Sequence, residues 1–389
     1  MRLGIDASNI RAGGGVIHLV ELLRAADMLP YGFSHVVVWA GHNTLAHIED
    51  RPWLVKSHQP FLDAGIAHRI WWQGFELSKL TRASRCDMLF LPGGFYVGDF
   101  RPIVTMSQNL LPFELDELRR YGLSMTGLRL MLLRLAQSNT FRRADGIIFL
   151  TEYARNSVMK VIGNAPGKTR VINHGVVDRF SNPPREQLAI SQYSVTRPFR
   201  ILYVSNIDLY KHQWHVAEAV AQLRRNGLPV VLELIGPAYP PALTRLYDAL
   251  KTLDPGGLFI HYLGDAPYSE LHARYTSADL CLFASSCETF GQILTESMSA
   301  GLPIACSNRS AMPELLGDAG LYFNPEDPND IAHALRELIN SHNLRAKLAK
   351  ASFERAQVYS WTRCANETFA FLAEIATAFY EKRKPKRAV

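Results

Sequence analysis

The stretch Ala284–Asp327 reads ASSCETFGQILTESMSAGLPIACSNRSAMPELLGDAGLYFNPED. An apolar run from Leu280 ends at Ala284, and a polar loop holding Glu288 follows it. Phe290-Gly291-Gln292 then opens a helix that carries Glu296 and closes at Gly301. Pro303–Cys306 and Gly320–Phe323 read as further strands, and an acidic, Pro-containing turn leads into another helix. Short apolar strands alternating with helices predict α/β layering on a parallel sheet. Gly291 at a helix start lets backbone N–H groups approach a ligand closely, and the helix dipole favours phosphate there. Glu296 lies about one turn further on and faces the same mouth, where a carboxylate can accept both hydroxyls of a ribose. The C-terminal ends of parallel strands are also where open α/β sheets bind ligands.

The same rhythm extends outward in both directions. Upstream in this half, Phe199–Val204, Val230–Ile235 and Leu258–Leu263 read as strands. The first half repeats the pattern with Arg2–Ile5, Ser34–Trp39, Asp87–Leu91, Ile103–Met106, Gly146–Leu150 and Arg170–Asn173, separated by helical stretches such as Val16–Ala26 and Gly127–Arg143. Pro183, Pro184 and Pro198 interrupt a polar segment, which predicts an interdomain linker. The expected division is therefore a first domain over 1–180, a linker over 181–198 and a second domain over 199–361. Ile331, Leu335, Leu338 and Ile339 fall on one helical face, and Trp361, Ala365, Thr368, Leu372, Ile375 and Phe379 on another. The last helix, about 362–389, is expected to cross back onto the first domain, ending in a charged tail of Lys382, Arg383, Lys384, Lys386 and Arg387.

A chain of 389 residues with 48% hydrophobic and 20% charged residues is long enough for two ordinary globular domains. Forty-two Lys plus Arg against 36 Asp plus Glu leave a net +6, which suits anionic small molecules or acidic membrane surfaces and is too mild to prove nucleic-acid binding; no nucleic-acid partner is expected. Cys86, Cys281, Cys287, Cys306 and Cys364 form no CxxC, which disfavours a disulfide framework or zinc ribbon and points to a reducing compartment. The start, MRLGIDASNI, does not read as a signal peptide, and no run of about 18 uncharged apolar residues occurs. A cytoplasmic location is expected, peripheral to the inner face of a membrane at most.

Taken whole, the stretch quoted above resembles the signature block of the retaining glycosyltransferases of family 4, also called group 1. Glu288 and Glu296 enclose seven residues, and AGLPI, PELLGDAGLYF and the acidic Pro turn follow in order. The resemblance implies the GT-B fold: two Rossmann-like domains facing each other across a cleft. It implies that Glu288 contacts hydroxyls of the donor sugar and that Glu296 holds the ribose of a nucleotide. Phe290, Gly291 and Gln292 would line the sugar and diphosphate with backbone N–H groups, and Ile293 and Gly264 complete the donor-binding set. YVSNIDLYKHQ matches the strand–loop in which the family carries an Arg and, five residues on, a Lys on the diphosphate. Lys211 fits the Lys, while Asn206 stands where the Arg is expected, a neutral amide in place of a charged fork.

In the first half, Gly13-Gly14-Gly15 matches the family's glycine-rich loop, where backbone amides can donate to a phosphate or acceptor. In IVTMSQNLLPFE, Gln108 and Asn109 occupy the place of a His found in many members, and neither can act as a general base. His174-Gly175 resembles the turn that ends the first domain. No D-x-D triplet and no metal-spaced His/Cys/Asp cluster occurs, so neither metal nor other cofactor is expected, and Lys211 with the helix N-terminus would take a metal's role at the leaving diphosphate. No G-x-S-x-G or P-loop is present. The expected partners are a nucleotide-sugar donor and a saccharide or lipid-linked saccharide acceptor, in assembly of a surface polysaccharide or glycolipid. A nucleotide-sugar epimerase on the same fold, or a non-catalytic nucleotide-sugar-binding subunit, are the alternatives. Arg119, Arg120, Arg129, Arg134, Arg142 and Arg143, interleaved with leucines, predict either a basic amphipathic helix on an anionic bilayer or a packed helix with a charged outer face.

Overall fold

The computed structural model of the chain describes residues 1–383. Lys384, Lys386 and Arg387 of the expected tail lie outside the described residues. The chain divides into two compact units: Met1–Leu118, Leu123–Gly175 and the chain from Ser360 form one, and Arg119–Gly122 with Val176–Tyr359 form the other.

The first unit is built on seven strands, β1 (Arg2–Asp6), β2 (His35–Ala40), β3 (Leu54–His58), β4 (Met88–Leu91), β5 (Ile103–Met106), β6 (Gly146–Phe149) and β7 (Lys168–Val171). They form one sheet in the order β3-β2-β1-β4-β5-β6-β7. Every pair is parallel. β4, β5 and β6 are buried at every position, as strands covered on both faces must be. β3 was absent from the sequence reading. Its residues LVKSH lie at the sheet edge and stay partly exposed, so no apolar run marks them. The final helix, Trp361–Glu381, belongs to this unit and packs against the helix Gly14–Arg24. It buries Trp361, Ala365, Thr368, Leu372 and Ile375, while Phe379 is only half-buried.

The second unit carries β8 (Phe199–Val204), β9 (Val230–Ile235), β10 (Ile260–Tyr262), β11 (Leu280–Phe283), β12 (Ile304–Ser307) and β13 (Leu321–Phe323). Their order is β10-β9-β8-β11-β12-β13, again parallel throughout. The order reverses between β8 and β11, the position at which doubly wound sheets open a crevice. In the first sheet the corresponding reversal lies between β1 and β4.

The segment 181–198, expected as a linker, is part of the second unit. Arg185 bonds the carbonyls of Thr276 and Ala278 and pairs with Asp279 at 2.7 Å. Tyr193 OH donates to the same carboxylate at 2.8 Å. The wholly buried Arg345 donates to Gln187 and to the Leu188 carbonyl. Prolines mark this stretch because it is irregular, yet Arg185, Gln187, Leu188 and Tyr193 tie it by hydrogen bonds to the domain. The chain leaves the first unit at Gly175 and re-enters it at Ser360. A Cβ on Gly175 would stand 2.1 Å from the Trp361 nitrogen, so glycine is required by close backbone approach.

Candidate functional site

The loops that follow β8 and β11 meet at the reversal point of the second sheet. Lys211, 5% exposed, ends a short 3₁₀ turn after β8, and its ammonium pairs with the Glu288 carboxylate from the loop after β11. The ammonium also lies 5.1 Å from the centre of the Phe283 ring and 4.9 Å from that of Tyr210. An ammonium has three donors, so the contact with Glu288 leaves it able to meet a phosphate oxygen as well. Glu288 itself is fixed through its backbone: its N–H donates to Ser310 Oγ at 2.9 Å, and that hydroxyl donates back to the Glu288 carbonyl at 2.9 Å. Ser310 holds φ 57°, a left-handed conformation, in the loop after β12.

Gly291 caps the helix Gln292–Ser299 with φ 84° and ψ 57°. This left-handed corner turns the chain sharply from loop to helix and points the first amides outward. Glu296 on that helix is completely buried. Tyr268 OH donates to one carboxylate oxygen at 2.7 Å, and Tyr275 OH to the other at 3.3 Å. Burial pushes its pKa up to about 7, against the opposing hydrogen bonds of Tyr268, Tyr275 and Gln292. Arg179 stacks over the Tyr268 ring at 4.5 Å. Gly264 follows β10 at φ 74° with open space where a side chain would lie.

Lys211, Glu288, Gly291 and Glu296 thus come from loops and a helix start at the C-terminal edge of one sheet. The other expected positions divide. The Asn206 amide, at the start of the same loop as Lys211, donates to Asp208 at 3.1 Å. Asp208 in turn accepts from Tyr121 OH at 2.6 Å and from the Leu209 N–H at 2.7 Å. Gln292 and Ile293 are half-buried in the first turn of the helix. The Phe290 ring is 3% exposed and packs edge-on against Tyr359 at 5.6 Å, so this residue's side chain belongs to the core and only its backbone is available to a ligand.

In the first unit, Gly13 caps the helix Gly14–Arg24 at φ 64°, at the end of the loop that follows β1. A Cβ on Gly15 would lie 3.5 Å from Gln108 Oε1, which puts the glycine-rich loop beside Gln108. Gln108 Nε2 donates to His18 Nδ1 at 3.3 Å. Asn109 is a turn residue: its Oδ1 accepts the Leu111 N–H at 3.2 Å. His18, fully buried, stacks on His174 with ring centres 4.6 Å apart, and Trp361 lies 5.5 Å from His174. Burial, and secondarily His174, drives the His18 pKa well below its ordinary value, so the ring is neutral.

Sequence reasoning missed His18, Tyr268, Tyr275 and Ser310. His18 had one usable signal, its place one turn beyond the glycines on the helix they open. Tyr268 and Tyr275 reach the Glu296 carboxylate, and Ser310 the Glu288 backbone, from other loops and helices, and no spacing links them to Glu288 or Glu296. Among the described residues no group of His, Cys, Asp and Glu side chains has the arrangement of a metal site. The five cysteines are buried and free.

Two parallel Rossmann-like sheets with this constellation define the GT-B class of α/β protein. The sucrose-phosphate synthase of Thermosynechococcus elongatus superposes with a TM-score of 0.73 at 17% identity, over 97% of this chain and 100% of that one. Anabaena HepE, solved with UDP-glucose, superposes with a TM-score of 0.67 at 18% identity, over 98% and 100%. The model of "Glycosyltransferase Family 4" matches residues 12–180, and that of "Glycosyl transferases group 1" matches residues 184–355. The chain belongs to family 4, group 1, of the glycosyltransferases. It is 33% identical over 110 residues to the O-antigen chain mannosyltransferase B of Escherichia coli, covering 28% of this chain and 29% of that protein. It is 26% identical over 233 residues to the sulfoquinovosyl transferase SQD2 of Arabidopsis thaliana, covering 57% of this chain and 42% of the relative. A GDP-mannose-dependent phosphatidylinositol dimannoside mannosyltransferase of Mycobacterium tuberculosis is 27% identical over 249 residues, covering 62% and 61%. The matched stretches span from about a quarter to under two thirds of these relatives.

Proposed function

We propose that the chain is a retaining, metal-independent glycosyltransferase that moves a hexosyl group from a nucleotide sugar to a saccharide or lipid-linked saccharide. One observation carries the reading: Lys211 on Glu288, beside Gly291 opening the helix that buries Glu296, all at the reversal point of the second sheet. Glu296 accepts the ribose hydroxyls, and the amides at Gly291 and Gln292 donate to the diphosphate. Lys211 stabilises charge developing on the leaving oxygen, the part a metal plays elsewhere. Glu288 orients the sugar. As the bond from C1 to the diphosphate oxygen breaks, the acceptor oxygen bonds C1 on the same face, and its proton passes to the departing phosphate. No general base is then needed at Gln108, whose amide instead binds a hydroxyl. The setting this supports is assembly of a surface polysaccharide or glycolipid by a cytoplasmic protein working at the inner face of the membrane.

Incubation with a panel of UDP- and GDP-sugars, read by mass spectrometry, tests the reaction. Slow donor hydrolysis releasing the nucleoside diphosphate supports it, and interconversion of the sugars would mean an epimerase instead. Glu296→Ala is expected to abolish transfer and weaken nucleotide binding; normal turnover in that variant would sink the site assignment.

A further inference from the structure

Arg119–Gly122, a stretch from the first half of the chain, belongs to the second unit. Arg119 and Arg120 therefore stand apart from the basic helix expected here. The chain turns after Arg119, with Gly122 at φ 54°, and the helix proper starts at Met125. Arg120 pairs with Glu326 of the loop after β13 at 2.6 Å. The Tyr121 ring, 6% exposed, packs on Tyr239 of the loop after β9, with ring centres 5.8 Å apart. Its hydroxyl donates to Asp208, in the loop after β8, at 2.6 Å. Burial, with Asp208 adding to it, pushes the phenol pKa up, so the group stays a donor.

Asp208 sets the backbone from which Lys211 projects. Its carboxylate accepts the Leu209 N–H at 2.7 Å, and its carbonyl accepts the Lys211 N–H at 3.0 Å, closing the 3₁₀ turn Leu209–Lys211. At the other end of the turn, Tyr203 OH donates to the Lys211 carbonyl at 2.7 Å. Between them, the Ser286 N–H donates to the Tyr210 carbonyl at 2.9 Å, joining the turn to the loop that carries Glu288. The Lys211 side chain thus leaves a turn held at both ends before it meets Glu288. The Asn206 amide also donates to Asp208, and its backbone carbonyl accepts from Gln213 at 2.9 Å, so Asn206 braces the loop. Burial raises the Asp208 pKa against its hydrogen bonds. A buried carboxylate depends on its donors, and the Tyr121 phenol makes the shortest of these contacts. A brace that served stability alone could sit anywhere on the unit; this one ends on the residue that starts the Lys211 turn.

We propose that Tyr121 is a positioning residue for the transfer: its hydroxyl fixes Asp208 and, through the turn Leu209–Lys211, places the Lys211 ammonium for the diphosphate. Tyr121 acts through Lys211 and is not itself a ligand of the donor. The inference rests on the reading of Lys211 as the cation that meets a nucleoside diphosphate.

Calorimetric titration of the full chain with UDP and GDP tests it through a double-mutant cycle. Tyr121→Phe keeps the ring on Tyr239, removes the hydroxyl, and should weaken diphosphate binding roughly tenfold. In a chain that already carries Lys211→Met, the same change should have no further effect, because the link then ends on nothing that meets the diphosphate. Asp208→Asn approaches the link from its other side and should be coupled to Lys211→Met in the same way. Tyr193→Phe is the control: it removes a phenol that donates to Asp279 at 2.8 Å in the same unit, and should bind as the parent does. Cooperative melting of each variant confirms that it folds. Equal weakening with and without Lys211→Met, equal loss in the control, or parent-like binding by Tyr121→Phe overturns the role of Tyr121. A parent chain that binds neither diphosphate overturns the site reading and this inference with it, so the two failures give different results.

Discussion

Glu296 and Lys211 solve the problem of a buried charge in opposite ways. Glu296 has the hydroxyls of Tyr268 and Tyr275 and only the field of Arg179 in place of an ion pair among the described residues, and burial holds its pKa at about 7, above the ordinary 4.5. Between those values the folded chain holds a proton that the unfolded chain lacks, so Glu296 favours folding at the acidic end, and that contribution is lost as pH rises through about 7. Ribose hydroxyls donate to the ionised form, so nucleoside diphosphate affinity should climb as pH rises through about 7 and then level off. Calorimetric titration with UDP or GDP on either side of that value checks this, and Glu296→Gln should flatten the profile. Lys211 instead has Glu288, and both side chains are mostly buried, at 6% and 17% exposure. Lys211→Met strands that carboxylate and should cost about 3 kcal/mol in denaturant unfolding. Adding Glu288→Gln should restore most of the stability but none of the transfer. These partnerships were only partly legible in the sequence. The E-x7-E spacing located both glutamates, but the two tyrosines on Glu296 come from the loop after β10 and the helix Leu271–Ser277, beyond the reach of any local pattern.

Among the secondary-structure elements, what the sequence showed depended on burial. β8 and β9 are apolar but for Arg200 and Glu233, which pair with each other at 2.7 Å, and both could be read end to end because both faces of a parallel sheet are covered. β3, a half-exposed edge strand, carries no such run. The 181–198 segment was misleading for the converse reason: prolines signal irregular backbone, and irregular backbone can still be packed. Two glycines test how elements join. Gly291→Ala must hold φ 84°, and its Cβ would lie 2.7 Å from the Met312 methyl, a flexible end that can yield. The expected cost is about 1–2 kcal/mol, with weakened nucleotide binding. Gly175→Ala meets the backbone of Ser360 and Trp361, which cannot yield, and should cost about 3 kcal/mol or more. Thermal unfolding of the two variants side by side gives the order.

For the molecule as a whole, two buried neutral histidines set the response to acid. Burial lowers the His212 pKa to about 3, with Arg120, His215, Arg245 and Arg309 adding to it, and lowers that of His18 well below 6.5. A depressed folded value means that the unfolded chain gains protons first, so stability present above about pH 6.5 is lost as pH falls below it. Asp6 and Glu296, raised by burial, work in the other direction over the carboxylate range. The melting temperature is expected to fall on the acid side of 6.5. His212 sits at φ 54°, which Asn tolerates, so His212→Asn should make that fall shallower without disturbing the turn. An unchanged slope would remove His212 from the account. By itself the sequence determined the alternation of strands and helices, the two-unit plan and the two glutamates of the signature block, because these follow from local hydrophobic periodicity and short spacing. Only the tertiary structure decided that Arg134, Arg142 and Arg143 are spent on the carbonyls of Pro112, Ile162 and Gly98, that His18 backs Gln108, and that Glu296 is held by two tyrosines. Each of those contacts joins residues far apart in the chain, and burial, which sets their charge, is a property of the packed unit rather than of any segment.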